Sequence, residues 1–260
     1  MEYITSRNND RIKKAVKLCT SSKFRKEQGL YFLEGARLCS DAAQNTEIAE
    51  AFFTEDALEK YSTEAKIIIN KSADSFIITR EVAEKMADTK FSQGVFCICR
   101  MKNNSAELEL NKKYIALENV QDPSNLGVVA RTCEALGIDT IIINKGCDIY
   151  NPKAQRSAMG SLQRLKIITV DSMTECIEKA NSMGIVTVAA VLNNCNCEMN
   201  ILKSDSIICI IGNEGNGITE ETSNLSKYRL TIPMRGRAES LNAASAATIL
   251  IWELTNLQVE

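Results

Sequence analysis

Residues 207–218 read IICIIGNEGNGI, an apolar β-branched run that ends in three glycines around one carboxylate. The run predicts a buried strand, and the glycines predict a loop whose backbone turns sharply or approaches a ligand closely. A second short apolar segment, residues 230–234, leads through RGRAESLN (235–242) into an Ala-rich helix that is predicted to end near Leu257. Two strand ends and a helix start are therefore expected within about forty residues, at the edge where open α/β sheets hold ligands.

The glycine loop has the spacing G-x-x-G-x-G, which differs from the G-x-G-x-x-G pattern of dinucleotide-binding folds. Glu214 lies inside this loop, where its charge would repel a pyrophosphate but would suit an amine or a hydroxyl group. A glycine-rich loop with a surface acid is the plain alternative. Downstream, Ser240 is predicted to cap the last helix with its hydroxyl group, which puts Asn242 in the first helical turn.

An upstream segment, residues 118–137, supplies a further strand end and helix. The strand is predicted to end near Glu118, DPS (122–124) begins the helix, and Gly137 stops it. Arg131 lies off the apolar stripe of this helix. That position is typical of a solvent-exposed side chain and leaves a functional role open.

Three segments together resemble the three motifs of the SpoU (TrmH) family of SPOUT RNA 2′-O-ribose methyltransferases. They are NLGVVART (125–132), IGNEGNGI (211–218) and the stretch from IPM (232–234) to SLNAA (240–244). Their order and separation match the family, and the joint match is far more specific than any one piece. The resemblance covers roughly residues 112–260, and YFLEGAR (31–37) extends it more weakly to the family's substrate-binding domain.

This resemblance implies an α/β fold in which a SPOUT-type parallel sheet with a C-terminal trefoil knot follows a small N-terminal α/β substrate-binding domain. We predict an RNA substrate-binding domain over residues 1–100, a polar linker over 101–112 and the methyltransferase domain over 113–260. Alternating strand and helix patterns on both sides of the linker favour the same division. Within the first domain, AKIII (65–69) is predicted to form a short strand.

The resemblance also implies a reaction, in which family members transfer a methyl group from S-adenosyl-L-methionine to a ribose 2′-OH of RNA, as homodimers and without a metal. The implied reaction site is formed by Asn125, Arg131, Glu214, Ser240 and Asn242, and the implied cofactor site by Gly212, Ile232, Leu241, Met234 and Leu192. The pKa of arginine is about 12 or more, so we expect Arg131 to orient the hydroxyl group and stabilise the developing alkoxide. Arg131 is free to face the partner subunit, and Glu214 is expected to orient Arg131 or the substrate.

Composition limits the class of protein. No apolar run of the 260 residues approaches the roughly twenty residues of a membrane span, and the N-terminus lacks signal-peptide features, so a cytoplasmic protein is expected. The absence of histidine excludes Ser-His-Asp and Cys-His sites. The ten cysteines form no C-x-x-C pair, so no metal site is expected, although Cys195-Asn-Cys197 stays a weak metal or redox candidate.

Charge is unevenly distributed along the chain. Residues 1–37 carry a net +5 and residues 38–100 a net −4, against −2 overall. A basic N-terminal end suits phosphate contacts, although a solvated charged helix is an equal alternative. The residues predicted to contact RNA are Arg7, Lys13, Lys14, Arg37, Lys153 and Arg156. The last two lie in NPKAQRSAMG (151–160), which resembles a family segment near bound RNA but also suits an ordinary helix start.

The predicted function is methylation of a ribose 2′-OH in structured RNA. We favour 23S rRNA over tRNA, since an accessory domain of this kind accompanies rRNA methylation in the family. Two alternatives stay open: a tRNA 2′-O-methyltransferase, and a non-catalytic RNA-binding protein on the same scaffold. A nucleotide-dependent enzyme of ordinary doubly wound type is disfavoured by the glycine spacing and by Glu214.

Overall fold

The structure is a computed structural model that describes residues 1–102 and 106–255. These residues form two compact units, unit 1 from residues 1–102 with 148–163, and unit 2 from residues 106–147 with 164–255. The predicted linker 101–112 and the predicted helix end near Leu257 fall partly outside the described residues. Part of the predicted linker belongs to unit 2. Leu108 is buried in the core of that unit, and the Glu109 N–H donates a hydrogen bond to the Tyr114 hydroxyl group (2.7 Å).

Unit 1 is built on a five-stranded mixed sheet in the order β1-β4-β3-β5-β2, in which β3–β5 and β5–β2 are antiparallel and the other pairs are parallel. Its elements are β1 (Glu2–Ile4), α1 (Asp10–Thr20), α2 (Ser22–Gln28), β2 (Leu30–Glu34), α3 (Ala36–Asn45), β3 (Ile48–Phe53), α4 (Glu55–Lys60), α5 (Ser62–Lys71), β4 (Ser72–Ile78), α6 (Arg80–Met86) and β5 (Val95–Arg100). The side chains of neighbouring residues in a strand point to opposite faces of the sheet. Phe52 packs in the hydrophobic core on one face, and Phe53 packs in the core on the other. The sheet is therefore covered on both faces.

The strand predicted over residues 65–69 is wrong, because these residues lie in α5. Ala65 and Ile68 are its buried positions, three residues apart, which is helical spacing. A run of three isoleucines has no period of its own, so its β-branched composition favoured a strand that the packing does not form.

Residues 148–163, which the predicted boundaries assign to the domain 113–260, make their contacts within unit 1. The segment contains α8 (Pro152–Ala158) and the start of the short helix α9 (Ser161–Arg164). The buried Arg25 forms an ion pair with Asp148 (2.8 Å), and the rings of Tyr31 and Tyr150 lie 4.7 Å apart. These long-range contacts tie the segment to the N-terminal sheet.

Unit 2 contains a six-stranded sheet in the order β11-β9-β10-β6-β7-β8, with every neighbouring pair parallel, which confirms the predicted parallel α/β sheet. Its elements are β6 (Lys113–Glu118), α7 (Pro123–Ala135), β7 (Thr140–Asn144), β8 (Lys166–Val170), α10 (Met173–Ser182), β9 (Val186–Ala190), a 3₁₀ helix (Met199–Lys203), β10 (Ile207–Ile211), α11 (Glu220–Leu225), β11 (Tyr228–Leu230) and α12 (Ala243–Thr255).

The strand order reverses between β6 and β10, since β7 and β8 extend the sheet on one side and β9 and β11 on the other. Ile211 at the end of β10 pairs with Leu117 near the end of β6. The loops that follow these two strands therefore leave the sheet side by side, at the kind of switch point where open α/β sheets bind ligands.

The predicted start of the last helix needs a correction. The strand β11 ends at Leu230, residues 231–242 form no helix or strand, and α12 begins at Ala243. Asn242, not Ser240, caps this helix, because its Oδ1 accepts hydrogen bonds from the N–H groups of Ala244 (2.9 Å) and Ser245 (3.3 Å).

Across residues 1–102 and 106–255, every helix is too short or too polar to cross a bilayer. The same residues bring no three of the His, Cys, Asp and Glu side chains together as a metal site. All ten cysteines are free thiols. Cys197 is partly buried against the carbonyl oxygen of Arg229 (3.3 Å), and Cys195 is exposed.

Candidate active site

The glycine loop after β10 is closed on itself by hydrogen bonds of Asn213. The backbone N–H and C=O groups of Asn213 pair with those of Gly217 (3.0 and 2.9 Å). Its side-chain Oδ1 accepts hydrogen bonds from the N–H groups of Gly215 (2.8 Å) and Asn216 (3.1 Å). A Cβ atom at Gly212 would overlap the carbonyl group of Gly217, so this tight closure requires glycine there.

The same loop is fastened to the segment after β6. Asn213 Nδ2 donates to the carbonyl oxygen of Asn119 (2.9 Å). The Glu214 carboxylate accepts hydrogen bonds from the N–H groups of Gln121 and Asp122, both at 3.3 Å. It accepts a shorter bond, of 2.7 Å, from Nδ2 of Asn125. Partial burial raises the pKa of Glu214, but the hydrogen bonds from Asn125 and the backbone outweigh this effect and lower the pKa below the usual value of a glutamate. Glu214 is therefore ionised at neutral pH.

Asn125 links this loop to the last helix. Its side chain is buried in the first turns of α7, and its Oδ1 accepts a hydrogen bond from Nδ2 of Asn242 (3.1 Å). The structure thus brings together three predicted site residues, Glu214, Asn125 and Asn242, in one hydrogen-bonded chain. In the sequence, Glu214 follows Asn125 by 89 positions and Asn242 follows it by 117.

A cavity of about 320 Å³ opens beside these three hydrogen-bonded residues. Its walls are the ends of β9 and β10, the glycine loop and the start of α12. The predicted residues that line it are Leu192, Gly212, Glu214, Ser240 and Leu241. Ile232 and Met234, also predicted for the cofactor site, are not in its walls; Ile232 is half-buried and Met234 is exposed.

Arg131 lies apart from the other predicted reaction residues. It is exposed on α7, six residues beyond Asn125, which corresponds to roughly 9 Å along the helix and about 120° around it. Within the described part of the chain its guanidinium has no hydrogen-bond or ion-pair partner. Glu214 bonds to Asn125 and two backbone groups rather than to Arg131 among the described residues, so the expectation that Glu214 orients Arg131 or the substrate stays a prediction.

Glu118 is a functional candidate that the sequence reasoning missed. It is 3% exposed at the end of β6 and accepts hydrogen bonds from the N–H of Thr219 (2.9 Å), the Thr219 hydroxyl (2.9 Å) and the Thr222 hydroxyl (2.5 Å). Thr219 caps α11, directly after the glycine loop. Glu118 therefore holds the far end of that loop. An acidic residue ending an apolar strand was the signal in the sequence.

The residues predicted to contact RNA lie in unit 1, and several already have acidic partners. Arg7 is 3.5 Å from Glu84, Lys13 is 3.1 Å from Asp10, Lys14 is 3.0 Å from Glu50, and Arg156 is 2.7 Å from Asp88. Glu50 is buried, so Lys14 serves first to neutralise it. Arg37 and Lys153 are exposed.

Comparison with known sequences identifies both parts of the chain. The profile of the SpoU rRNA Methylase family matches residues 112–252, and that of the MRM3-like substrate binding domain matches residues 9–97. The chain is 28% identical to 23S rRNA (guanosine(2553)-2'-O)-methyltransferase RlmP of Bacillus subtilis, over 98% of this chain and 99% of that one. It is 31% identical to an uncharacterized tRNA/rRNA methyltransferase of Synechocystis sp., over 98% of this chain and 94% of that one.

Solved structures agree with the architecture. An rRNA methyltransferase from Sinorhizobium meliloti superposes with a TM-score of 0.86 at 24% identity, covering 100% of this chain and 99% of that one. The SpoU methyltransferase AviRb from Streptomyces viridochromogenes, solved with the cofactor AdoMet, superposes with a TM-score of 0.84 at 23% identity, covering 96% and 98%. At 24% and 23% identity, these two structures show a shared fold and no more. With a family profile over more than half of its length and a full-length relative at 31% identity, the chain belongs to the SpoU rRNA methylase family.

Proposed function

We propose that this chain transfers the methyl group of S-adenosyl-L-methionine to a ribose 2′-OH of structured RNA, with 23S rRNA as the substrate. The hydrogen-bonded chain Glu214–Asn125–Asn242 beside the cavity carries this proposal. The named activity of the Bacillus subtilis relative supports the RNA class, and the AdoMet bound to AviRb supports the cofactor. We assign substrate binding to residues 1–100 and catalysis to residues 113–260, apart from the segment 148–163 that packs in unit 1, and we assign the reaction to the cytoplasm.

The cavity fits the proposed cofactor in size and in the chemistry of its walls. Its volume of about 320 Å³ lies at the lower end of the range for small-molecule sites. Leu192 and Leu241 offer apolar surface, and the loop backbone from Gly212 to Gly217 offers polar groups. When bound, S-adenosyl-L-methionine supplies a methyl group activated by its sulfonium. The chain's own contribution is to hold the cofactor and to orient the ribose hydroxyl group beside it.

The residues around the cavity have different proposed roles in binding and orienting the ligands. Glu214 is ionised and fixes the amide of Asn125, which in turn fixes the amide of Asn242. These oriented amides are already held in place for hydrogen bonds to ligand groups, and the exposed Ser240 hydroxyl, which lines the cavity, offers a further one. Arginine side chains are poor general bases. The role proposed for Arg131 is therefore to orient the ribose hydroxyl group and to stabilise the negative charge that develops on its oxygen.

A homodimer completes this site in our proposal. Val128 and Arg131 lie three residues apart on the outer face of α7, and α12 packs beside it with Ile249 and Trp252 exposed. Trp252 is 53% exposed, and large aromatic side chains of this kind anchor protein interfaces. A second copy of the chain would cover this face, and Arg131 would then reach the partner's cavity. We further propose that residues 231–255 thread through the fold as the family's trefoil knot, which the small residues Ala243, Ala244 and Ala247 would accommodate.

Mixing two inactive variants tests the shared site. Arg131→Ala is expected to lower methyl transfer by about 10²- to 10³-fold with little change in cofactor affinity, and Asn125→Ala is expected to be inactive as well. If the arginine acts across the interface, refolding the two variants together restores activity in roughly a quarter of the sites. No restoration, with dimers verified by size, would put Arg131 in its own subunit's site.

Two further measurements separate the alternatives. Calorimetry with S-adenosyl-L-methionine distinguishes an enzyme from a non-catalytic RNA-binding protein, since only the enzyme needs the cofactor. Mapping 2′-O-methylation in rRNA and tRNA from cells with and without the protein identifies the substrate. A missing methyl group in tRNA, with the 23S rRNA unchanged, would replace rRNA by tRNA in the proposal.

A further inference from the structure

Unit 1 contains a cavity of about 590 Å³ that the methyl-transfer site does not use. It lies among α4, α6 and the loop of residues 87–94. Two aromatic rings, Tyr61 and Phe91, and three cationic side chains, Lys60, Arg80 and Lys90, contribute to its walls. Its volume falls within the range of small-molecule and cofactor sites.

Phe91 is the most exposed large apolar side chain of the described residues, with 85% of its surface accessible. Burying a phenylalanine side chain normally stabilises a protein, but Phe91 is left in water and contributes no such stabilisation. A ring held in water beside an open cavity is the arrangement expected of a surface that binds a flat ligand.

The loop that presents Phe91 is fixed at both ends. Glu34, itself buried, accepts hydrogen bonds from the N–H groups of Asp88 (2.9 Å) and Thr89 (3.2 Å). At the other end, Gln93 Oε1 accepts a hydrogen bond from the N–H of Ala36 (2.8 Å). The exposure of the ring is therefore built into the fold, and binding would cost little additional ordering of the backbone.

Glycine is required where this loop enters β5. Gly94 has a φ of +69°, and a Cβ atom there would overlap the hydroxyl group of Thr54. Its carbonyl oxygen accepts a hydrogen bond from the N–H of Thr54 (2.9 Å), the residue that caps α4. The loop and the start of α4 thus form one rigid rim of the cavity.

The charges around the cavity favour a polyanion. Its two acids are engaged, Asp56 with Arg80 and Glu84 with Arg7 (3.5 Å). Lys60 and Lys90 have no carboxylate partner among the described residues. The ammonium of Lys90 lies 5.6 Å from the centre of the Phe91 ring, and that of Lys60 lies 5.3 Å from the centre of the Tyr61 ring.

We infer that this cavity binds an unpaired nucleobase of the RNA, stacked on Phe91, with the adjoining phosphate beside Lys90 and Lys60. Every base has a π-face, and an aromatic ring next to cations is the usual platform for single-stranded RNA. A protein partner is disfavoured because the exposed apolar surface here amounts to one ring. The inference rests on the proposed RNA substrate.

Titrations of the full chain with a labelled single-stranded oligouridylate and with an RNA duplex of the same length test this site. Phe91→Ala is expected to weaken binding of the single strand by about 5- to 150-fold and to leave duplex binding unchanged. Phe91→Trp keeps the stacking surface and should keep the affinity. Leu110→Ala removes another exposed apolar side chain, outside this cavity, and should change neither.

A matched pair of lysines tests the phosphate contact. Lys60 lines the cavity, whereas Lys66 is exposed on α5 and does not. Lys60→Gln should reduce the salt dependence of single-strand binding by about 0.7 in the slope of log K against log salt, and Lys66→Gln should not.

Unchanged single-strand binding in Phe91→Ala would overturn the inference, and so would an equal loss for single strand and duplex, which would indicate backbone contacts. Failure of the unmodified chain to bind the oligouridylate would also overturn it. Calorimetry with S-adenosyl-L-methionine reports on the proposed function separately. If the chain binds the cofactor and RNA but Phe91→Ala leaves single-strand binding unchanged, only this inference fails and the proposed function stands.

Discussion

Two segments of unit 2 border the same cavity but are held very differently. The glycine loop, residues 212–219, is fixed at three points by the end of β6 and the segment that follows it. Asn213 bonds to Asn119, Glu214 to Asn125 and the backbone beside it, and Thr219 to Glu118. Every one of these contacts joins residues that are about ninety or more positions apart.

The segment of residues 231–242 has almost none of this support. From Pro233 to Asn242 every residue is exposed. Among the described residues, Asn242 alone in this segment makes side-chain hydrogen bonds, to Asn125 and to the first N–H groups of α12. Two arginines, Arg235 and Arg237, lie in the exposed part.

One wall of the cavity is therefore held by many contacts within the chain, whereas the other has few such contacts among the described residues. Ordering a backbone residue costs about 1–2 kcal/mol, so a segment without contacts needs a ligand or a second copy of the chain to hold it. Substitutions in the glycine loop should therefore change the free energy of unfolding. Substitutions in residues 231–241 should change binding only.

The largest effect is expected from Gly212→Ala. The added methyl group would overlap the backbone of Gly217 and Ile218, which cannot move without breaking the Asn213–Gly217 pair. We expect a loss of about 3 kcal/mol in the free energy of unfolding, measured by urea titration. Gly215→Ala is the matched control, because its Cβ would meet only the Asn213 side chain at 3.5 Å. Equal stability of the two variants would mean that the loop is not rigid.

A smaller loss is expected from Glu118→Gln. The amide retains one acceptor oxygen and turns an NH₂ group toward the N–H of Thr219, so one hydrogen bond of the buried carboxylate is lost and one donor faces another. The cost should be about 1–3 kcal/mol in the free energy of unfolding. Glu221→Gln, an exposed acid on α11, should change it by less than about 0.5 kcal/mol.

The same substitution also tests function. If Glu118 positions the glycine loop, Glu118→Gln should raise the KM for S-adenosyl-L-methionine more than it lowers kcat, because the loop that Glu118 holds lines the cavity and Glu118 itself does not. A purely structural residue would lower the amount of active protein and leave KM unchanged. The two outcomes are separated by active-site titration.

Most of this cavity's framework could be predicted from local patterns. The β-branched run of β10 and the glycines after it identify a buried strand and a tight loop without any tertiary information. The motif Asn125, Glu214 and Asn242 residues were expected together through the family resemblance, and the structure brings them within hydrogen-bond distance.

What could not be predicted depends on partners far away in the chain. Ser240 and Asn242 are both good helix caps, and the choice falls to Asn242, whose amide also bonds to Asn125. Glu118 finds its partners 101 and 104 residues later, at Thr219 and Thr222. Residues 148–163 join unit 1 through contacts such as the Arg25–Asp148 ion pair, and no local sequence pattern predicts such a contact.

The smallest effect on stability, and the sharpest test of the open wall, comes from two leucines. Leu241 and Leu225 are each 38% exposed, but only Leu241 lines the cavity. Neither Leu241→Ala nor Leu225→Ala should change the free energy of unfolding by more than about 0.5 kcal/mol. Leu241→Ala should weaken S-adenosyl-L-methionine binding by about 3- to 10-fold, since a bound ligand would bury part of that side chain.

Calorimetry at matched protein concentration checks both variants. Leu225→Ala should bind the cofactor as the unmodified chain does. If Leu241→Ala instead unfolds at a lower urea concentration, residues 231–241 are already packed in the free chain, and the two walls of the cavity differ less than their contacts indicate. If it changes neither stability nor binding, Leu241 lies outside the cofactor site, and the other walls of the cavity form the binding surface.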